Sequence, residues 1–416
     1  MSAHGPARPW RTPDFLKLWL GQTVSLFGSQ VTLLALPLTA ALALHAGAVE
    51  LGALRALQTL PFLLFGLGAG VLVDRVRRRP VLVAADLGRA LLLGTIPLAW
   101  ALGRLDLRQL FLVAPLVGTL RLGFNVAYSA YLPALLPRGE LLEGNSRLGL
   151  SAAVAETAGP GLAGALVALV AAPLAIAVDA TSFLVSALSV GLIRAPEPMP
   201  ERRDGKRLWP ELREGVLVIT GHPILRTSAV SSALLNLFFQ GVHAIFVLFA
   251  TVELGLSPAL FGAILTASSL GSLLGAFLVP PLTRHLGPGP ALLIATGCYA
   301  GGALIIPLAT GARWQATGTL LAAWGLIGVG NGLGNIVVTS LNQLLVPTHL
   351  LGRVTATSMT IGWGAAPLGA LLGGIAGQTL GLRPTLTLAA LGILATFLWL
   401  LNSPLRALRE QPPTIE

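Results

Sequence analysis

The chain is 416 residues long, 54% hydrophobic and only 11% charged, with a formal net charge of +10 and a mean hydropathy of +0.79. No water-soluble domain has an interior large enough to hide that much apolar surface, which excludes a soluble globule and leaves a polytopic membrane protein. A membrane barrel is excluded as well, because strands of about 10 residues with strict alternation are absent.

Twelve apolar segments follow one another, centred near residues 30, 62, 91, 120, 157, 184, 238, 270, 299, 330, 366 and 393. Each runs for about 20 to 28 residues, enough to cross a hydrocarbon core of about 30 Å as a helix. The first is preceded by no cleavable signal pattern and is expected to act as its own insertion signal. Between spans two and three lies a dense charged turn, residues 70–80, Gly-Val-Leu-Val-Asp-Arg-Val-Arg-Arg-Arg-Pro. Lys and Arg are retained on the inner face of a membrane, so this turn reads as a short cytoplasmic loop and sets both termini in the cytoplasm. On that topology 20 of the 27 Lys and Arg fall on the side of the termini, four on the other, and three (Arg55, Arg89 and Arg121) within spans. The positive-inside pattern accounts for the basic balance and speaks against nucleic acid as a partner.

Residues 195–207, between spans six and seven, form the only long polar segment. They divide the chain into an N-terminal six-helix bundle over 1–194, a cytoplasmic linker over 195–224 and a C-terminal six-helix bundle over 225–416. Within the linker, Leu208, Leu212, Val216 and Ile219 fall at helical spacing, which predicts a short amphipathic helix on the inner membrane surface. A single cysteine, Cys298, excludes an internal disulfide framework.

The halves echo each other, as parallel repeats of transporters do. Leu136-Pro137-Arg138-Gly139 precedes span five and Val346-Pro347-Thr348-His349 precedes span eleven, and each of those spans holds a proline, Pro160 and Pro367. Gly66 and Gly70 on span two resemble Gly271 and Gly275 on span eight, four apart so that one helix face is bare for a close neighbour. Such a doubled architecture makes a cavity at the repeat interface the expected site.

Residues 70–79 resemble the Gly-x-Leu-x-Asp-Arg-x-Gly-Arg-Arg loop between helices two and three of the major facilitator superfamily, with Arg77 in the usual glycine place. The resemblance implies the major facilitator fold, twelve transmembrane helices in two pseudo-symmetric six-helix bundles. It also implies that Asp74 locks the outward-open state against the start of helix eleven, where a helix N-terminus favours a carboxylate. Arg75, Arg78 and Arg79 are expected to share that gate. Gly159-Pro160-Gly161-Leu162-Ala163-Gly164 is similar to the Gly-Pro-x-x-Gly-Gly motif of proton-coupled antiporters, with Ala163 for the first paired glycine. A structural reading of Gly159, Pro160 and Gly164, a bend and close helix packing, needs no proton. Over its full length the chain resembles the subgroup of the enterobactin exporter and macrolide efflux proteins, through 35–39, 86–90, 127–133 and 179–184. That resemblance implies proton-driven export of small amphiphilic molecules, drugs or siderophores.

Three acids fall within the spans, Asp86, Glu156 and Asp179, where a charge costs roughly 3 kcal/mol or more unless it meets water or a partner. Glu156 and Arg121 both lie near the midplane. Glu156 is therefore the expected proton carrier, with a static ion pair to Arg121 as the alternative. Asp179, followed by Thr181 and Ser182, reads either as a helix-packing hydrogen bond or as a point of proton entry. Asp86 and Arg89, three apart, suit a local ion pair and, alternatively, an extension of the gate below Asp74. Gln30, Arg55, Gln58, Asn125, Tyr128, Asn236, Gln240, Asn331 and Asn335 are mid-span groups whose unmet hydrogen bonds are costly in lipid, and they are the expected substrate-binding residues. Their mixture favours a weakly polar substrate held by many modest contacts. No Asp-x-x-x-Asp, no paired histidines four apart and no phosphate-cradling Gly-Lys-Ser/Thr segment occurs, which speaks against an embedded enzyme or ATPase and against a metal or other cofactor. A lipid or lysophospholipid flippase on the same fold is the rival reading. The expected partners are the substrate, protons and membrane lipid, with the chain a monomer in the cell membrane.

Overall fold

The computed structural model describes residues 12–73, 76–197 and 208–408. Among them the chain forms α1 (Pro13–Leu38), α2 (Ala48–Val73), α3 (Arg78–Ala101), α4 (Leu107–Leu135), α5 (Leu141–Val170), α6 (Ala172–Gly191), α7 (Leu208–Gly221), α8 (Pro223–Leu248), α9 (Pro258–Leu286), α10 (Pro288–Ile305), α11 (Arg313–Leu345), α12 (Thr348–Leu380) and α13 (Leu382–Leu401). All except α7 are long and apolar enough to cross a membrane, twelve spans in total. Several start with a proline in the first turn (α1, α6, α8, α9, α10), where the missing N–H has no helical partner to lose and the fixed φ already suits the helix. Asp106 caps α4 by accepting the Gln109 N–H at 2.9 Å.

The helices repeat with a constant register of 210 residues. The first residues of α1, α2, α3 and α6 (13, 48, 78, 172) recur at the starts of α8, α9, α10 and α13 (223, 258, 288, 382), and the last residues of α4, α5 and α6 (135, 170, 191) recur at the ends of α11, α12 and α13 (345, 380, 401). Both α1 and α8 run on into a five-residue π-helical turn, Thr39–Ala43 and Phe249–Glu253. The joints match too. His45 (φ 51°) pairs with Gly255 (φ 62°), and Ala171 (φ 72°) with Gly381 (φ 93°).

Contacts group the chain into two compact units, 1–44 with 64–206 and 45–63 with 207–416. The helix α2 thus contributes its first residues to the second unit and its remainder to the first. In the first unit α1 packs on α5 and α6, and α3 on α4 and α6. In the second, α9 packs on α11 and α8 on α12. Glycines permit these approaches, since a Cβ at Gly275 would stand 2.9 Å from the Leu333 nitrogen and one at Gly271 3.0 Å from that of Val329. The expected echo at Gly66 differs, because nothing stands within 4 Å of a Cβ built there; the side chain position of Gly70 lies outside the described residues.

The ends of the first unit are tied by charges set against free backbone groups. The Glu197 carboxylate accepts the Arg78 and Arg79 N–H groups at 2.6 and 3.1 Å, capping α3. Arg79 donates to the carbonyls of Val190 (3.2 Å) and Gly191 at the end of α6. Lys17 donates to the Leu192 carbonyl at 2.9 Å and to Asp14 at 2.7 Å, while Asp14 accepts the Arg194 and Ala195 N–H groups. Helix α7 packs within the second unit. Ile219 joins Leu225, Ala229, Leu345, Val346 and Val354 in one apolar cluster, and Glu214 pairs with Arg353 of α12. Leu217 stays 59% exposed. The side chains of Leu208 and Leu212 lie outside the described residues.

Candidate functional site

In the first unit a buried network of charge joins three helices. Asp86 and Arg89 of α3 form an ion pair, with Asp86 fully buried and Arg89 5% exposed. The Arg89 guanidinium is sandwiched between the rings of Phe124 on α4 (4.4 Å) and Phe183 on α6 (4.1 Å). Pairing and cation–π contact together offset the desolvation that would otherwise make a buried arginine untenable. Asp179 of α6 is 1% exposed and accepts a hydrogen bond from Ser182 at 3.1 Å. Gly28 of α1 leaves it room, as a Cβ there would come within 2.7 Å of its carboxylate. Asp179 also feels the charges of Arg89 and Arg121.

Arg121 of α4 and Glu156 of α5 are both accessible. Exposed Leu112 stands about 180° around α4 from Arg121, and exposed Val154 about 160° around α5 from Glu156. The static ion pair between them is not formed. Arg121 instead lies within electrostatic reach of two acids, Asp179 and Glu156.

Gly159 and Gln30 are neighbours, a Cβ at Gly159 falling 2.7 Å from the Gln30 Cβ, so the bare helix position exists to admit that glutamine. Pro160 and Gly164 are buried on the same helix. Tyr128 stacks on Phe124 with centroids 5.9 Å apart, and Asn125 is accessible beside it. Arg78 and Arg79 serve the caps described above, whereas Asp74 and Arg75 lie outside the described residues.

In the second unit Arg55 of α2 donates from Nε and Nη2 to the Gln240 side-chain oxygen of α8, both at 3.2 Å, and feels His243. Around them stands an aromatic cluster that sequence reasoning missed. Phe239 meets His243 at 4.7 Å and Tyr299 at 4.9 Å, and Trp324, 1% exposed, meets His243 at 5.0 Å and Phe246 at 4.6 Å. The one sequence signal was the spacing of Phe239, His243 and Phe246 on a single face of α8. Asn236 bonds to the Ser232 carbonyl of its own helix at 3.0 Å. Asn331 and Asn335 are accessible, one turn apart on α11, and Gln58 is half-buried on α2.

The 210-residue register aligns the two repeats position by position. Gln30 corresponds to Gln240 and Asn125 to Asn335, so these polar positions are kept, whereas Arg121 gives way to the neutral Asn331. The ionisable ones are not. Asp86, Arg89, Glu156 and Asp179 correspond to Thr296, Tyr299, Ala366 and Ala389, all uncharged. Among the described residues no group of three His, Cys, Asp or Glu stands together to hold a metal ion.

Residues 18–362 and 229–416 match the profile of the Major Facilitator Superfamily. The chain is 26% identical over 402 residues to the multidrug efflux pump Tap of Mycolicibacterium fortuitum, covering 93% of this chain and 96% of that protein. The nucleoside transporter NupG has a similar structure, with a TM-score of 0.75 at 12% identity over 94% of this chain and 98% of its own. A bacterial homologue of the iron transporter ferroportin, in an inward-facing state, gives a TM-score of 0.73 at 19% identity over the same shares.

Proposed function

The chain belongs to the major facilitator superfamily, and from that premise we propose that it exports small amphiphilic molecules, drugs or siderophores, in exchange for protons by alternating access. The observation that carries this reading is the asymmetry of the repeats: every buried or mid-span acid stands in the first, while the second answers with neutral and aromatic groups at the same positions. Coupling to protons belongs to the first unit in this reading, and the apolar body of the substrate to the second. The likeness to a multidrug efflux pump supports export. The side carrying 20 of the 27 Lys and Arg is then the cytoplasm, with both termini on it.

One cation shared by two acids supplies the mechanism. While Glu156 is ionised, Arg121 divides its attraction between Glu156 and Asp179; when Glu156 takes a proton from water, Arg121 is released toward Asp179. Asp86 and Arg89 hold α3 against α4 and α6 and keep Asp179 in a fixed field. Each unit has its own polar groups to offer hydrogen bonds to substrate, Gln30, Asn125 and Tyr128 in the first and the Arg55–Gln240 pair, Asn331 and Asn335 in the second.

Uptake of a fluorescent amphiphile into inverted vesicles under an imposed pH gradient tests this. Wild-type protein is expected to accumulate the dye only with the gradient, and Glu156→Gln to lose at least about tenfold, the scale of a missing proton step. Gradient-independent transport unchanged in Glu156→Gln overturns the antiport reading, and movement of lysophospholipid without a gradient replaces it by a flippase.

A further inference from the structure

At the end of the second unit that holds the start of α8 and the close of α13 there is a groove of about 280 Å³, lined by Pro223, Arg226, Thr227, Val230, Trp399, Asn402, Ser403 and Pro404. Pro223, Arg226, Thr227 and Val230 form one stripe of α8, and the opposite wall comes from the last turn of α13 and the residues after it. Both helices begin or end a membrane span here, so the groove lies at the level of the headgroups. Its walls grade from polar to apolar. Arg226 and Asn402 are exposed at one part, while Val230 and Trp399, 40% and 43% exposed, stand on the faces that continue along the spans.

The first repeat shows what this junction looks like when it is closed. There Lys17, at the position of Thr227, donates to the Leu192 carbonyl and to Asp14, and Asp14 binds the backbone of Arg194 and Ala195. In the second repeat Ile224 stands in the place of Asp14, and Arg226 in that of Leu16. Neither α8 nor α13 contains an acidic residue, and among the described residues Arg226 makes no ion pair. An arginine set in a groove, at headgroup depth, without a carboxylate on either wall, is complementary to an external anion. The apolar continuation of the groove along two spans selects an anion that carries acyl chains, and the tryptophan suits the interface between the two.

We propose that this groove binds the headgroup phosphate of an anionic phospholipid, with Arg226 and the Asn402 amide donating to the phosphate and Val230 and Trp399 lying along the first part of the acyl chain. The site is peripheral to transport and belongs to the second repeat alone.

Native mass spectrometry of the purified full-length protein, given phosphatidylglycerol or phosphatidylcholine in equal amounts, reads it directly. Wild-type protein is expected to retain phosphatidylglycerol in preference, and Arg226→Gln to reduce that retention about fivefold, the effect of one cation near an anionic surface. Arg226→Lys should restore most of it. Arg284→Gln, which removes an exposed arginine at the end of α9, should leave it unchanged, and unaltered thermal melting of the variants in lipid-free detergent keeps loss of binding apart from loss of folding. Equal retention of both lipids, equal loss in Arg226→Gln and Arg284→Gln, or full displacement by millimolar inorganic phosphate each overturns the proposal, the last by making the groove a small-anion site.

Discussion

At the scale of single residues, the buried Arg89 is the group with most to lose. Its charge is balanced by Asp86 and by two aromatic faces, so Asp86→Asn leaves a desolvated cation with half its support. A cost of about 3 to 5 kcal/mol is expected, seen as a large fall in melting temperature, and Asp86→Leu combined with Arg89→Met should recover most of it. Gly159 and Gln30 allow a second test of the same kind. Gly159→Val pushes new methyls into the Gln30 side chain, with an expected cost of about 1 to 3 kcal/mol; Gln30→Ala in the same chain should relieve it, whereas a purely conformational role for the glycine leaves the double variant as unstable as the single. These two residues were legible in the sequence separately, one as part of a packing motif and one as a polar lining group. That they are neighbours was not, because the pairing depends on the rotation of α1 against α5.

Among elements, the joint between α5 and α6 is strained and its repeat partner is not. Ala171 holds φ 72° and ψ 148°, a conformation that side chains rarely adopt, and Gly381 takes the same turn between α12 and α13 at no steric cost. Ala171→Gly is therefore expected to stabilise the protein by about 1 kcal/mol, read as a rise in melting temperature; a fall places the strain elsewhere. The spans themselves were plain in the sequence, because a helix in lipid must be long and apolar to satisfy its own backbone. The placement of α7 was less so. Its amphipathic spacing predicts a surface helix, yet Ile219 found an apolar partner in the ends of α11 and α12 rather than in lipid. The aromatic cluster was hidden for a like reason: Phe239, Tyr299 and Trp324 come from three helices, and only the fold brings their rings within 6 Å.

For the whole molecule, the informative contact is that of α2 with α12 inside the second unit. A Cβ at Gly377 lies 3.0 Å from that of Ala48, and Gly52 and Gly374 meet backbone to backbone. In a Cys298→Ala background, Ala48→Cys with Gly377→Cys is expected to form a disulfide under mild oxidation and to stop transport until reductant is added. Full transport by the cross-linked protein would mean that this contact persists throughout the cycle. The two-unit division and the 210-residue register were only partly readable beforehand. Local motifs signalled duplication, but the reassignment of 45–63 depends on contacts between residues more than 300 positions apart.

The allegiance of α2 changes between Leu63 and Leu64, two residues after Pro61. A proline within a helix deletes one hydrogen bond of the ladder and weakens the rod at that level. The 26 residues of α2, about 39 Å of continuous helix, thus act as a crank with one soft point. Pro61 therefore sets how stiffly residues 48–60 and 64–73 of this one helix are joined. Pro61→Ala should stiffen the crank, leaving melting temperature intact or raised while slowing turnover, so that a sturdier rod makes a poorer machine.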